Sequence, residues 1–432
     1  MIQAAETMID SIRAEISGRD IVLSPRLDAE LAGGTDNRDT TVSSQRIPSR
    51  LLEVSLTKLF STGTSLTFSA GHTDTRLNSV DRSIGSWELR LSQSLWRDAF
   101  GRSTRLRHEA EKAEFRSRVF STLLQKQNFL LELEQVYWDL VLALKEEKTR
   151  ESNLEKSKRV ESWTRDRVRR RVALESDLLQ AQALVSARLL ELKEVRNRIA
   201  TIRNKIRQLI PGQNPEEWTI DLRELERARN LESLLAVSTG KEKPVQLAAL
   251  AANYLSQQAM SEAARVEDSY RPKLDAYVSY GQNGAEENFS GSWNRALNPE
   301  YSGARVGLLF SVELDSSLKR DQRRAAELRA QARELEARAR MRASSFDWDD
   351  LVRQVNALKA QVTEATRLSE IQEKKVEAER INYRLGRTTI FQLITFEIDA
   401  ANAELGLVRK LAELRKTESS ARIFTRQEGG DE

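Results

Sequence analysis

The sequence predicts a mostly α-helical chain with a smaller β component, built as two internal structural repeats of strands followed by a long helical hairpin. Three observations predict it. Neither Pro nor Gly occurs from Arg102 to Ile210, nor again from Leu308 to Leu385, and these residues are the strongest punctuation of helices. Short segments of alternating apolar and polar residues stand before each of these runs. The same order of elements recurs in both halves of the chain.

Composition agrees. Charged residues make up 31% of the 432, and Gly and Pro number only 18 and 7. That balance suits long solvated helices better than a sandwich or a doubly wound sheet. A net charge of +4 from 69 basic and 65 acidic residues does not indicate a nucleic-acid binder. With no Cys and two His, a disulfide scaffold, thiol catalysis and a His-rich metal site are set aside. No stretch approaches the roughly 18 apolar residues of a membrane-spanning helix, although a β-barrel would lack one too. Met1-Ile2-Gln3-Ala4-Ala5-Glu6 shows no secretory signal.

In the first long run, Leu178, Ala181, Val185, Arg188, Leu192, Val195, Ile199, Ile202, Ile206 and Leu209 step by alternating three and four. This is a heptad seam, which implies a coiled coil. Leu123, Leu130, Tyr137 and Leu144 repeat every seven within a wider stripe, so that helix is expected to touch more than one neighbour. In the second run Ala325, Leu328, Ala332, Leu335 and Ala339 keep the heptad spacing. Each run must turn back: the first near Val172–Asp177 with Ser176 as N-cap, the second at Leu385-Gly386-Arg387-Thr388-Thr389. There Gly386 suits the left-handed C′ position, and Thr388 or Thr389 the following cap. Each outgoing arm has about 70 residues, or ~105 Å, and each return arm about half that. Something else must therefore stack on the end of each short arm.

The strand candidates are Leu66, Phe68 and Ala70; Leu89, Leu91 and Leu95; Leu274, Ala276, Val278 and Tyr280; and Val306, Leu308, Phe310, Val312 and Leu314, each alternating with polar residues. Such alternation fits a half-buried strand of a soluble sheet or a transmembrane barrel strand. Trp87, Trp96, Trp293, Tyr277, Tyr301 and Phe289 suit interfacial girdles or ordinary packing equally. Leu52, Val54 and Leu56, then Ser61-Thr62-Gly63-Thr64, then Leu66 onward form an extra hairpin with no counterpart in the second half. It belongs either to the sheet or outside it.

The halves echo each other: Pro25-Arg26-Leu27-Asp28-Ala29 with Pro272-Lys273-Leu274-Asp275-Ala276, Leu91-Ser92-Gln93-Ser94-Leu95 with Phe310-Ser311-Val312-Glu313-Leu314, and Trp138-Asp139-Leu140 with Trp348-Asp349-Asp350-Leu351. Together with Ser176-Asp177-Leu178-Leu179-Gln180-Ala181-Gln182 and Tyr383-Arg384-Leu385-Gly386-Arg387-Thr388-Thr389-Ile390, these segments make residues 20–424 resemble the TolC-like outer-membrane efflux proteins.

The resemblance implies a homotrimeric α-barrel of coiled-coil hairpins continuous with an outer-membrane β-barrel. The organisation expected is a short helix at 1–20, first-repeat strands and the extra hairpin at 21–97, a helical hairpin at 98–210, and an equatorial segment with a pre-strand helix at 211–270. Second-repeat strands at 271–315, a second hairpin at 316–424 and a disordered tail at 425–432 complete it. Helices at 2–17 and 244–268 would stack on the short arms.

The implied function is a passive exit duct of a tripartite efflux or type I secretion system. It needs no enzyme activity, cofactor or metal, and its partners would be outer-membrane lipid, a periplasmic adaptor and an inner-membrane pump, with no nucleic acid. It would span from the outer membrane into the periplasm, its export signal removed. Asp177, Tyr383 and Arg387 match the family's tip lock, the arginine shifted by one place. Gln392 and Thr395 stand where two aspartates often form an electronegative ring. Arg170, Arg171, Val172, Leu385 and Gly386 would form the adaptor-docking tip. Arg165, Arg167, Arg169, Arg170 and Arg171 would make a basic mouth for an acidic partner or anionic cargo, or a solvated face offset by Glu161, Asp166 and Glu175. A periplasmic adaptor normally has one hairpin, and a pore-less scaffold leaves the alternating strands unexplained.

Overall fold

The computed structural model describes residues 2–19, 23–36, 47–77, 80–227, 243–314 and 316–425. In chain order the main elements are α1 (Ile2–Arg19), β1 (Arg26–Asp36), β2 (Ile47–Leu59), β3 (Thr64–Leu77), β4 (Val80–Ser94), α2 (Arg102–Arg169), α3 (Glu175–Leu209), α4 (Leu247–Ser269), β5 (Lys273–Glu286), α5 (Phe289–Ala296), β6 (Ser302–Ser311), α6 (Ser316–Arg384) and α7 (Ile390–Thr425). A 3-10 turn at Leu222–Leu225 lies between α3 and α4. No described helix is long and apolar enough to cross a membrane. Of the expected tail at 425–432, only Thr425 lies among the described residues.

The chain divides into two compact units. One comprises 123–247 and 341–432 with the first two residues; the other comprises 3–122 and 248–340.

The first unit is a helical assembly, and its core follows the heptads. Val136, Leu140 and Ala143 of α2 pack on Val195, Ile199 and Ile206 of α3. Turned a little around the same helix, Trp138 and Val141 pack on Val408, Leu411 and Ala412 of α7 and on Leu225. The wide stripe of α2 thus serves two neighbours, as its width requires. Trp138 donates its indole N–H to the Ser419 hydroxyl at 3.1 Å.

Charge is buried here too, with no signal in the apolar pattern. Glu146 of α2 is fully buried and is held by Arg198 of α3 and by Arg409 of α7, the latter at 2.9 Å. Burial, followed by the neighbouring Arg409, pulls the Arg198 guanidinium below its ordinary value. Arg415 donates to the Leu225 carbonyl at 3.1 Å and to Glu418 at 2.6 Å, which anchors the segment after α3 on α7.

The second unit holds the sheet and the helices beside it. All six strands form one antiparallel sheet in the order β1-β2-β3-β4-β5-β6. The extra hairpin β2–β3 is therefore an interior part of the sheet. Strands from the two halves meet at β4 and β5, from Ser83↔Glu286 to Ser94↔Asp275. Ile12 of α1 is buried, with Ile9 and Ile16 on its flank. Arg19 and Arg118 tie Glu15 of α1 to Glu114 of α2, with Arg19–Glu114 and Arg118–Glu15 both at 2.8 Å. Phe120 of α2 stacks on Tyr254 of α4 with ring centroids 5.6 Å apart.

Four expectations need correction. The β6 ladder stops at Ser311, short of Val312 and Leu314, because its partner β5 begins at Lys273. Phe289 and Trp293 lie on a helix, α5, where the sequence suggested only strands and loops. On α6 the residues turned toward the rest of the chain are Ala330 and Ala337, while Leu328 and Leu335 are exposed. The predicted spacing stands, but Leu328 and Leu335 are left exposed within this chain rather than packed in it. The fourth is the N-cap of α3, described below with the tips.

Candidate functional site

Two places carry the features that could do work: the faces of the sheet and the two helical turns. Side chains of a strand alternate between faces, and the ladders fix which residues share one. Leu27, Ala29 and Leu31 of β1 sit opposite Leu56, Val54 and Leu52 of β2. Leu52, Val54 and Leu56 sit opposite His72, Ala70 and Phe68 of β3. Ala70, Phe68 and Leu66 sit opposite Trp87, Leu89 and Leu91 of β4. These are followed by Tyr280 and Val278 of β5 and by Ala304, Val306 and Leu308 of β6. One continuous apolar band therefore crosses all six strands. It is open to solvent: Leu31 is 83% exposed and Val306 82%.

On β2 the band lies between Arg50 and Lys58, which share its face eight residues apart. That is about 26 Å along the strand, or ~20 Å in height at a tilt of about 40°. A transmembrane barrel carries an apolar band of about 25 Å.

The opposite face is polar. Glu53, Ser55 and Thr57 sit opposite Gly71, Ser69 and Thr67, which sit opposite Ser86, Glu88 and Arg90. Here Arg90 pairs with Glu88 at 3.2 Å and lies over the Tyr277 ring at 5.0 Å. Thr57 and Thr67 hydroxyls approach to 3.3 Å.

Beyond one edge of the band, α5 lies on the apolar side of β4 and β5. Asn288 caps it, its Oδ1 accepting the Gly291 N–H at 2.8 Å. Trp293 rests on Gly85, and the Trp87 indole donates to the Ala296 carbonyl at 3.0 Å. Phe289 packs on the buried His72 with ring centroids 4.4 Å apart. Sequence reasoning missed this helix, although the Asn288–Gly291 cap signature was available.

The two turns that close the helical arms share one geometry. After α2, the Val172 N–H reaches back to the Arg167 carbonyl at 2.9 Å and the Arg171 N–H to Val168 at 2.8 Å. After α6, the Arg387 N–H reaches Asn382 at 2.9 Å and the Gly386 N–H reaches Tyr383 at 3.0 Å. Both are Schellman closures, which need a left-handed residue. The first uses Arg171, with φ 58°, and the second Gly386, with φ 75°.

The N-cap of α3 is Leu174, not Ser176. The Asp177 carboxylate accepts the Leu174 N–H at 3.1 Å, because the first helical turn starts one residue before the serine. Asp177 thus has a local task. Thr389 caps α7, accepting the Gln392 N–H at 3.3 Å.

Tyr383, near the end of α6, is buried against Val160 of α2 and Ile390 and Leu393 of α7. Its hydroxyl meets Thr164 Oγ1 at 2.8 Å, and Arg167 lies over its ring at 4.8 Å and donates to its carbonyl at 2.6 Å. Neither Thr164 nor Arg167 could be read as its partner, since packing brings together residues more than 200 apart in sequence. Behind the turn, Arg380 makes a two-pronged pair with Glu397 at 2.6 and 2.8 Å. Burial works to lower Arg380, but Glu397, Glu373 and Glu377 outweigh it and hold the guanidinium above its ordinary value.

Arg387, Gln392 and Thr395 are exposed, as are Arg170, Arg171, Val172, Leu385 and Gly386. Of the five clustered arginines, Arg165 pairs with Glu161, Arg169 lies 3.9 Å from Asp166, and Arg167 is taken up by Tyr383. Two of the five thus have a carboxylate nearby, whereas Arg167 meets the neutral Tyr383 and keeps its charge.

No family model and no curated protein sequence matches the chain. Solved structures do. The outer-membrane channel OprN is 18% identical, with a TM-score of 0.69 over 98% of this chain and 86% of that one. VceC, an outer membrane protein of Vibrio cholerae, is 13% identical, with a TM-score of 0.69 over 98% and 92%. CusC, whose structures concern transmembrane channel formation, is 13% identical, with a TM-score of 0.68 over 98% and 88%. A mostly helical chain with one antiparallel sheet, two long hairpins and an open apolar band thus has the fold of the TolC-like outer-membrane efflux channels.

Proposed function

We propose that this chain is an outer-membrane exit duct, three copies of which enclose one pore leading from the periplasm to the exterior. The observation that carries this reading is the two-sided sheet: a solvent-open apolar face across six strands, with a polar face behind it. Exposed apolar patches of this extent are rare on monomeric soluble proteins. Against lipid the band is buried, and the polar face then lines water. The edges β1 and β6 must find partners, because hydrocarbon leaves no backbone group unpaired at tolerable cost.

Conduction in this reading is passive and needs no cofactor. An inner-membrane pump and a periplasmic adaptor supply the driving step in a tripartite efflux or type I secretion system. The adaptor docks at the two turns, on Arg170, Arg171, Val172, Leu385 and Gly386. Asp177, Tyr383 and Arg387 belong to a gate at the same end. Tyr383 holds α6 to α2 inside one copy, and the exposed Arg387 is free to meet a neighbouring copy. Gln392 and Thr395, polar and exposed, line a wet passage and carry no charge that would trap cations. A contact that the exposed Arg387 makes with a neighbouring copy would contribute only about 0–1 kcal/mol, as a gate that must open requires.

Extraction tests the reading. Expressed with an export signal in a double-membraned bacterium, the chain is expected to stay in the outer-membrane fraction through a high-salt wash. Detergent should then release it as a trimer. A soluble, monodisperse monomer obtained without detergent would overturn it.

A further inference from the structure

We infer that the membrane wall built by this chain has eighteen strands, because the β2–β3 hairpin is a full part of that wall. The inference rests on the three-copy reading above. Among the described residues, the first half of the chain supplies four strands and the second two. Had the extra hairpin lain outside, each copy would bring four strands and three copies would bring twelve.

Three features place it inside. First, β2 and β3 separate β1 from β4 by full ladders: Arg26↔Thr57 through Asp36↔Ile47, Ser49↔Thr75 through Leu59↔Ser65, and Thr64↔Gln93 through Leu77↔Val80. β1 has no path to β4 that leaves these bonds intact. Second, the alternation of the hairpin is in phase with the rest. Leu52, Val54, Leu56, Leu66, Phe68 and Ala70 lie on the apolar face, and a slip of one residue would turn them into the pore.

Third, the hairpin turn is keyed into the start of α2. Gly63, with φ 69°, and Gly101, with φ 77°, face each other across the β2–β3 turn and the β4–α2 junction. A Cβ on Gly63 would come within 2.8 Å of the Gly101 nitrogen and 2.9 Å of the Asp98 carbonyl, and one on Gly101 would overlap the Ser61 carbonyl. The Ser94 N–H donates to the Gly63 carbonyl at 3.2 Å. Only glycine permits this approach.

Closure is geometrically consistent. Six alternating strands leave β1 and β6 antiparallel, so β6 of one copy meets β1 of the next antiparallel, and their lengths match at 10 and 11 residues. A six-stranded sheet is below the roughly eight strands of the smallest transmembrane barrels, so one copy does not make a membrane wall alone. Eighteen strands at about 4.8 Å spacing and ~40° tilt give a backbone diameter near ~36 Å; twelve would give ~24 Å. The outlet is thus about half as wide again, in the size range of barrels that hold an aqueous channel.

The test is electron microscopy of the detergent-solubilised full chain in its native assembly, at a resolution that separates strands. Eighteen strands around a three-fold axis, with residues 47–77 in the wall, is the expected result. A three-fold assembly with a twelve-stranded wall and residues 47–77 outside it overturns this inference and leaves the duct reading standing. An assembly with no closed wall, or with a different number of copies, overturns both.

Discussion

The helical unit and the sheet face the same problem, where to put apolar side chains, and solve it in opposite ways. In the helical unit Leu140, Val141, Ile206 and Leu393 are almost fully buried by other parts of the same chain. In the sheet Leu27, Leu31, Val306 and Leu308 are mostly exposed, although their pattern is just as regular. The first region finishes its own core. Among the described residues, α5 at one end is what covers the apolar face of the second, and its outer strands β1 and β6 pair on one side each. A regular apolar pattern left open is a statement about surroundings, and the proposed duct would cover it with lipid and further copies of the chain.

Substitutions can break this contrast, because the same change should have different effects in the two regions. The largest effect is expected in the helical core. Trp138→Ala removes a ring packed between α2 and α7 and leaves the Ser419 hydroxyl without its donor, costing about 3–5 kcal/mol. A lowered denaturant midpoint with an unchanged slope would measure it. Next comes the open face of the sheet. Leu308→Arg places a charge on the apolar band and should cost about 2–4 kcal/mol of membrane-embedded stability. Ser69→Arg, on the polar face, should leave insertion nearly unchanged. Equal effects of the two on recovery from outer membranes would erase the distinction between faces.

A smaller effect compares the two turns, which share their hydrogen bonds but differ in their left-handed residue. Arg171→Gly should relieve about 1 kcal/mol of strain, and Gly386→Ala should add a similar cost. Thermal unfolding of the pair should move in opposite directions.

The smallest effect sharpens the contrast through pH. The Glu15 carboxylate is held below the ordinary glutamate value, chiefly by its hydrogen bond from Arg19 and then by Arg118. A carboxylate with a depressed folded-state pKa contributes stability above its ordinary value and loses it as pH falls through the folded value. The protection of α1 amides, corrected for the intrinsic slowing of exchange in acid, should therefore fall at pH below the usual glutamate range, while protection in the α2–α3 core stays high.

These regions also differed in how much could be read in advance. The long hairpins were legible because Pro and Gly are absent over whole runs, and the Gly386 turn announced itself. The strands β2 to β6 were legible from their alternation, and β1 only from the echo of Pro25-Arg26-Leu27-Asp28-Ala29 in the second half. What could not be read was who neighbours whom. Alternation fixes a face but not a partner, so the place of β2–β3 in the sheet was open until the ladders were seen. The heptad spacing at Leu328 and Leu335 was correct as a period, yet a period does not say whether its stripe points into the chain or away from it. Tyr383 stood out by its motif, but its partners Thr164 and Arg167 come from another helix and carry no local signal. Ser176 misled because its type suits a cap, whereas the backbone turn begins at Leu174.

The central claim is that the two faces of the sheet meet different solvents, and the chain offers a clean way to ask. It contains no cysteine, so a single introduced one can carry a spin label at a known place. Labels placed one at a time along β2, from Leu52 through Thr57, can be read for collision with oxygen, which favours lipid, and with a water-soluble nickel complex. Positions 52, 54 and 56 should be oxygen-accessible, and 53, 55 and 57 nickel-accessible, alternating residue by residue. Uniform accessibility along the strand, or the opposite phase, would contradict the account.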